Sequence, residues 1–200
     1  MPASPGWTVR SCPTCPSGNW PDSVVALNGM LYGTTIYGGK NGNGTVFSVT
    51  ASGKERVIYS FGSAFSGDGA GPNGVTVLHG ALYGTTWAGG SHYSCWGDPP
   101  IGCGAVFSVT PAGIERVLYS FPASEGNPQT NLAAMSGELY GTVGDTLFSI
   151  TTTGTMKTLL SVKGCSRGPC SVLAPLKGTL YGTTPFGGKY HHGSAFAFTP

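Results

Sequence analysis

Six cysteines in three close pairs, Cys12/Cys15, Cys95/Cys103 and Cys165/Cys170, are the residues of this chain best suited to chemistry. An even number at short spacings predicts local disulfides and an oxidising compartment. The second pair brackets Trp96-Gly97-Asp98-Pro99-Pro100-Ile101-Gly102, so a bridge there pins a long loop, and the third brackets Ser166-Arg167-Gly168-Pro169. Four thiolates from Cys12, Cys15, Cys165 and Cys170 could alternatively form a tetrahedral zinc site, but the last spacing is looser than a compact zinc ribbon. The adjacent His191 and His192 suit one metal less well than residues at i, i+2 on a strand, and with His92 they read as surface histidines. Neither a metal nor another cofactor is expected.

Catalytic constellations are weaker still. Glycoside hydrolysis needs two carboxylates at a set separation. Asp22, Asp68, Asp98, Glu125 and Asp145 occur at no repeated or motif-like position. There is no Gly-x-Ser-x-Gly on a strand-to-helix turn and no glycine loop that could cradle phosphate ahead of a helix. A hydrolase or lyase acting on a polysaccharide is the enzymatic alternative to a binding module.

The elements that must position these residues come in four copies. Gly29-Met30-Leu31-Tyr32-Gly33-Thr34-Thr35 recurs as Gly80-Ala81-Leu82-Tyr83-Gly84-Thr85-Thr86, Gly137-Glu138-Leu139-Tyr140-Gly141-Thr142-Val143 and Gly178-Thr179-Leu180-Tyr181-Gly182-Thr183-Thr184. After each signature comes a loop, usually with Gly-Gly, then a strand of the Gly-Thr-Val-Phe-Ser-Val-Thr type and a glycine turn. A strand of the Val-Leu-Tyr-Ser-Phe type follows, and a Gly/Pro/Asn loop leads to a short apolar strand that runs into the next signature. Four-stranded units recurring at roughly 40–57 residues are the mark of propeller blades. The expected fold is all-β: a single propeller domain over residues 1–200, with repeats at about 23–61, 75–121, 131–162 and 171–200. Residues 6–12 supply the strand that closes the last blade. A fragment of a larger propeller is the alternative.

Composition agrees. Charged residues make up 9% of the chain, while Gly (34) and Pro (15) are abundant, as strands buried on both faces and joined by tight turns require. A net charge of +2 without a basic stripe gives no footprint for nucleic acid. No apolar run approaches eighteen residues, so no membrane insertion by a helix is expected. The start, Met1-Pro2-Ala3-Ser4-Pro5, has no signal-peptide pattern, at odds with the cysteine pairing. The expectation is that a leader has been removed or that the chain belongs to a longer reading frame.

Leu-Tyr-Gly-Thr-Thr, a Gly-Gly loop and Gly-Thr-Val-Phe-Ser-Val-Thr together resemble the GloVer tandem repeat of bacterial "choice-of-anchor" surface and secreted proteins. The resemblance covers nearly the whole chain and departs in the third copy, which lacks the Gly-Gly loop and the final Thr. It implies a bacterial, exported, propeller-like protein at the cell surface or outside the cell, and carries no general activity with it. The architecture is also kelch-like, although the tryptophan of kelch blades is not repeated here.

Two kinds of position follow. Signature residues read as scaffold: each strand glycine makes room for a large aromatic of the adjacent blade such as Phe47 or Phe107, and each tyrosine hydroxyl finds a partner, usually backbone. Polar residues sort by face. Lys54, Glu55, Arg56, Glu115, Arg116, Glu138, Lys157 and Lys177 fall on the tight-hairpin side and read as ordinary solvated charge. The long loops share the other side, the usual home of binding residues. The ligand-binding candidates there are Trp20, Trp87, His92, Tyr93, Trp96, Asp98, His191 and His192. The expected function is non-catalytic binding of a protein or carbohydrate through that face; a structural spacer in a longer surface protein is the remaining alternative.

Overall fold

Each signature enters its strand from a two-residue turn: Asn28-Gly29, His79-Gly80, Ser136-Gly137 and Lys177-Gly178, all eight residues at positive φ. That combination matches the right-handed twist of antiparallel strands, and glycine at the second position makes it cheap. The computed structural model describes residues 18–65, 67–96, 101–165, 170 and 172–200, with backbone alone at Ser94 and Trp96.

The first blade is β1 (Asn19–Leu27), β2 (Met30–Tyr37), β3 (Thr45–Val49) and β4 (Glu55–Ser60), paired in that order. The second is β5 (Ala70–Leu78) and β6 (Ala81–Ala88), then a small inserted hairpin of β7 (Tyr93–Trp96) and β8 (Ile101–Gly102), then β9 (Ala105–Val109) and β10 (Glu115–Ser120). The third is β11 (Ala133–Met135), β12 (Glu138–Val143), β13 (Thr146–Ile150) and β14 (Met156–Ser161). The fourth contains β15 (Ala174–Leu176), β16 (Thr179–Thr184) and β17 (Ser194–Phe198). All pairings are antiparallel, and the result is the expected four-bladed β-propeller, with no helix among the described residues. The expected closing strand at 6–12 lies outside the described residues. Strand one is longer than its apolar stretch in the first two blades, because β1 and β5 continue past a bulge at Pro21/Val24 and Pro72/Val75.

Register corrects one expectation. The aromatic over each signature glycine comes from the next strand of the same blade: Gly33 opposes Phe47, Gly84 Phe107, Gly141 Phe148 and Gly182 Phe196. A Cβ at Gly141 would lie 2.6 Å from Phe148 Cζ and 2.8 Å from Leu132 Cδ2, so only a bare backbone accepts the ring. The tyrosine hydroxyls also differ from expectation, since Tyr32 donates to Met30 Sδ (3.8 Å) and Tyr140 to Glu138 Oε2 (3.5 Å).

Alternation gives every blade a glycine face, carrying Val75, Leu82, Gly84 and Phe107 in blade two, and a tyrosine face, carrying Tyr83 and Val106. The core lies between blades. The tyrosine face of blade one (Tyr32, Val46) packs on the glycine face of blade two (Val75, Leu82, Phe107). Blade two meets three in the same way (Tyr83, Val106 on Leu132, Leu139, Phe148), and three meets four (Tyr140, Leu147 on Leu173, Leu180). Phe61 and Phe121, at the ends of the outer strands, reach across to Phe107 and Phe148 edge-to-face, with centroids 5.0 and 5.7 Å apart.

Overpacking should cost about 1–3 kcal/mol in Gly141→Ala. Phe148→Leu, which removes the ring tip, should cost about 1–2 kcal/mol. In the Phe148→Leu background the glycine substitution is expected to cost less than in the wild type, because the clash with the ring has gone and only that with Leu132 Cδ2 remains. Urea unfolding of the four proteins tests this, and additive costs would refute the pairing.

Candidate functional site

The loops that follow strand two and those that follow strand four meet on one side of the ring. Asn41 Nδ2 donates to Phe61 O (2.9 Å), Asn43 Nδ2 to Gly62 O (2.6 Å) and Gly102 N to Ala64 O (3.1 Å). In the fourth blade Phe186 N donates to Gly164 O (3.3 Å). The Gly-Gly doublets make this apposition possible. Gly89 and Gly90 both have positive φ, and Gly89 abuts the backbone of Gly69 with no room for a Cβ. Opposite this face, the strand-three-to-four turns are short and uniform. Thr50, Thr110 and Thr151 each accept at Oγ1 the backbone N–H four residues on, at 3.0–3.1 Å.

Cys95 and Cys103 are bonded, as are Cys165 and Cys170. The first bridge ties the inserted β7–β8 hairpin to the start of β9. Cys165 and Cys170 are thus spent on each other rather than presented as thiolates; Cys12 and Cys15 lie outside the described residues.

Of the binding candidates, Trp20 is 69% exposed and meets Tyr37 edge-to-face at 5.7 Å. Tyr93 is exposed and donates to Phe65 O (2.9 Å), which holds its hydroxyl against the backbone of exposed Phe65. His92, His191 and His192 are exposed on loops of blades two and four. Trp87 is half-buried at the end of β6, its indole filling the space beside Gly71, while its carbonyl accepts from Asn127 Nδ2 (3.3 Å). Trp96 ends β7, and Asp98 lies outside the described residues. Sequence reasoning passed over four exposed aromatics on the same face: Tyr37, Phe65, Phe186 and Tyr190, the last with Lys189 Nζ 5.3 Å from its ring centroid.

Three of the loop-face acids clamp loops. Asp68 accepts from Tyr59 Oη (2.7 Å) and Gly62 N (2.8 Å), Glu125 from Tyr119 Oη (3.1 Å), and Asp145 from Gly164 N (3.0 Å) and Cys165 N (2.7 Å). Burial and the adjacent carboxylate push the hydroxyls of Tyr59 and Tyr119 up. A polar pocket of about 270 Å³ lies where the strand-one entries of all four blades converge, lined by Asp22, Ser23, Asn73, Gln129, Thr130 and Asn131 together with Cys170 and Val172. Asn73 and Asn131 also stitch blades two and three, donating to Pro128 O (3.1 Å) and Val75 O (3.0 Å). An asparagine shortly before the apolar strand is the sequence signal that could have found them.

Glu115 is not the solvated charge its sequence suggests. It is half-buried at the junction of blades one and two, with Oε1 buried and unpartnered, and burial, then repulsion from Asp68, raises its carboxyl to about 7.

This fold and site define a class: a β-propeller of tandem repeats with uniform turns on one face and varied loops on the other. Residues 13–196 match the Gloeobacter/Verrucomicrobia repeat, and the chain belongs to that family. No curated protein matches it. Among solved structures, a chain in the crystal structure of a nidogen/laminin complex is similar with a TM-score of 0.56 at 16% identity, over 90% of this chain and 64% of that one. This chain therefore spans less than two thirds of that chain's length, and the likeness is one of fold. A structure of the tricorn protease is similar with a TM-score of 0.45 at 13% identity, over 80% of this chain and 15% of that one.

Opening the Cys95–Cys103 bridge by Cys95→Ser/Cys103→Ser should cost about 2–3 kcal/mol on the chain-entropy estimate, read as a shift in the urea midpoint. An unchanged midpoint would show that the bridge does not constrain the loop. Folded Glu115 holds its proton to about pH 7, whereas an unfolded chain releases it near 4.5. Its contribution to stability is thus complete below about 4.5 and lost as pH rises through about 7. Between about pH 5 and 8 the wild type should lose stability relative to Glu115→Gln, and parallel pH profiles would contradict the assignment.

Proposed function

We propose that this chain is an exported, non-catalytic module that binds a protein ligand through its loop face. One observation carries the reading. Among the described residues, six of the seven exposed aromatics (Trp20, Tyr37, Phe65, Tyr93, Phe186 and Tyr190) sit on the loop side of the ring; Tyr181 is the seventh. Exposed aromatic surface on a rigid frame is what protein interfaces use as anchors, because a two-torsion side chain offers large area at low entropic cost. The frame here is made rigid by two disulfides and by carboxylates that clamp the loops. The disulfides favour an oxidising, extracellular setting. Phe65 and Tyr93 form the proposed centre, and Trp20, His92, His191 and His192 are further candidates on the same side of the ring. The structural neighbour comes from a protein–protein complex, which suits the same use of the fold.

Carbohydrate is the second ligand class, favoured by the polar axial pocket of Asp22, Asn73, Gln129 and Asn131. Secreted-protein fractions and a polysaccharide panel, screened by calorimetry against the wild type, separate the two. Phe65→Ala/Tyr93→Ala should weaken protein binding by about tenfold or more, as loss of an anchor does. The hairpin-side change Ile114→Lys should leave it intact. Binding lost on the Ile114 side and unaffected at Phe65 and Tyr93 would sink the assignment, as would release of reducing ends from any polysaccharide.

A further inference from the structure

The first threonine of each signature lies on the tyrosine face, one residue past the signature glycine. In blade two its hydroxyl is fully used: Thr85 Oγ1 donates to Thr130 O on the entry to blade three (2.8 Å) and accepts from Asn73 Nδ2 (3.1 Å). The same Asn73 nitrogen donates to Pro128 O (3.1 Å), so one amide group holds two oxygens together. In blade three Thr142 Oγ1 meets Thr130 Oγ1 at 3.3 Å. In blade one Thr34 is 0% exposed, yet its Oγ1 has no hydrogen-bond partner. A buried hydroxyl left unpaired is rare enough to require a reason.

The reason stands on the facing strand. β1 and β5 carry the same bulge: Pro21 and Val24 oppose Thr35 and Gly33, as Pro72 and Val75 oppose Thr86 and Gly84. Asp22 therefore takes in blade one the place of Asn73 in blade two, and Thr34 that of Thr85. An amide with two donor hydrogens has become a carboxylate with none. Asp22 also opens onto the axial pocket of about 270 Å³, together with Ser23, Asn73 and Gln129. Asn73 spends its nitrogen on Thr85 and Pro128, which leaves its Oδ1 for the pocket. Cys170, on the same wall, is tied up in its disulfide. What remains is a set of oxygens with one negative charge and no donor amide among blade one's contributions. Oxygen donors of this kind select a hard cation, and their irregular placement on three blade entries suits calcium's flexible coordination better than magnesium's strict octahedron.

We propose that the axial pocket binds one calcium ion, held by the Asp22 carboxylate, the Thr34 hydroxyl and the amide oxygens of Asn73 and Gln129, with water completing the shell. The ion supplies in blade one the positive charge that the Asn73 amide supplies in blade two, and it ties the entries of blades one, two and three together. With a single carboxylate the affinity falls in the range of extracellular calcium modules, a Kd of about 10⁻⁴–10⁻³ M. The site is separate from the aromatic loop face and does not depend on what that face binds.

Equilibrium dialysis of the chelator-treated full chain against calcium chloride, with thermal unfolding followed in parallel, tests this. One calcium per chain should bind, and the unfolding midpoint should rise with calcium concentration, as it does for any ligand of the folded state alone. Asp22→Asn should weaken binding by about tenfold or more, since even losses in the outer shell of a metal site reach that size. The same variant recreates the amide of blade two, so without calcium it should unfold at or above the wild-type midpoint, an outcome that a merely structural Asp22 would reverse. Thr34→Val, which removes the hydroxyl at nearly constant volume, should also weaken binding and serves if Asp22→Asn does not fold. Glu55→Gln, at an exposed acid of the hairpin side, should change nothing. No bound calcium at millimolar concentration overturns the proposal, as does binding that survives both Asp22→Asn and Thr34→Val. A midpoint shift of equal size with magnesium chloride would mark charge screening and overturn it too.

Discussion

A phenylalanine ring lying across a glycine in the neighbouring strand is the contact on which the rest of this propeller depends. It recurs in every blade, and it solves a packing problem. A twisted four-stranded sheet presents a ridged surface, and removing one Cβ lets the ring lie down so that the next sheet can approach. The flattened ring then offers its edge and face to the preceding blade, where Phe61 and Phe121 meet it edge-on. The third junction manages with Val162 and a partly buried Phe196. Each blade is thereby directional, and the stack has a sense in which it can grow.

That direction determines what is left over for function. Leucine, tyrosine and phenylalanine of the repeat are consumed between blades, and the second threonine of the signature ties strand two to strand three, as Thr35 does to Thr45 at 2.9 Å. Loops after strands two and four remain, forced to the same side by the antiparallel order of the strands. Their lengths vary because nothing in the core depends on them. The acids Asp68, Glu125 and Asp145 hold the loops in place, and the aromatics between them are left exposed.

Much of this was legible before any coordinates. The copies, their strand order, the two close disulfides and the sidedness of the loops all follow from turn glycines and period-two alternation. What escaped depends on register or on ring closure. Alternation says which face Phe107 occupies but not that it stands opposite Gly84, so only the register shows that the aromatic over the glycine belongs to the same blade. The axial pocket draws Asp22, Asn73, Gln129 and Asn131 from segments far apart in sequence that become neighbours through the arrangement of the blades. Phe65 and Tyr190 are single aromatics in glycine-rich loops, where no periodicity draws attention to them.

Glu115 shows most clearly why local sequence falls short. Glu55-Arg56 and Glu115-Arg116 open equivalent strands with the same residues, opposite Val49 and Val109. Glu55 is exposed, while Glu115 faces blade one and has lost water from one oxygen. The third copy places Met156 there, packed into the cluster between blades two and three. Methionine is what a buried position of this kind ordinarily calls for. The carboxylate at Glu115 therefore makes the first junction the one whose stability responds to protonation, while its counterpart at Met156 has no charge to lose. Identical dipeptides thus carry different chemistry according to their place in the stack.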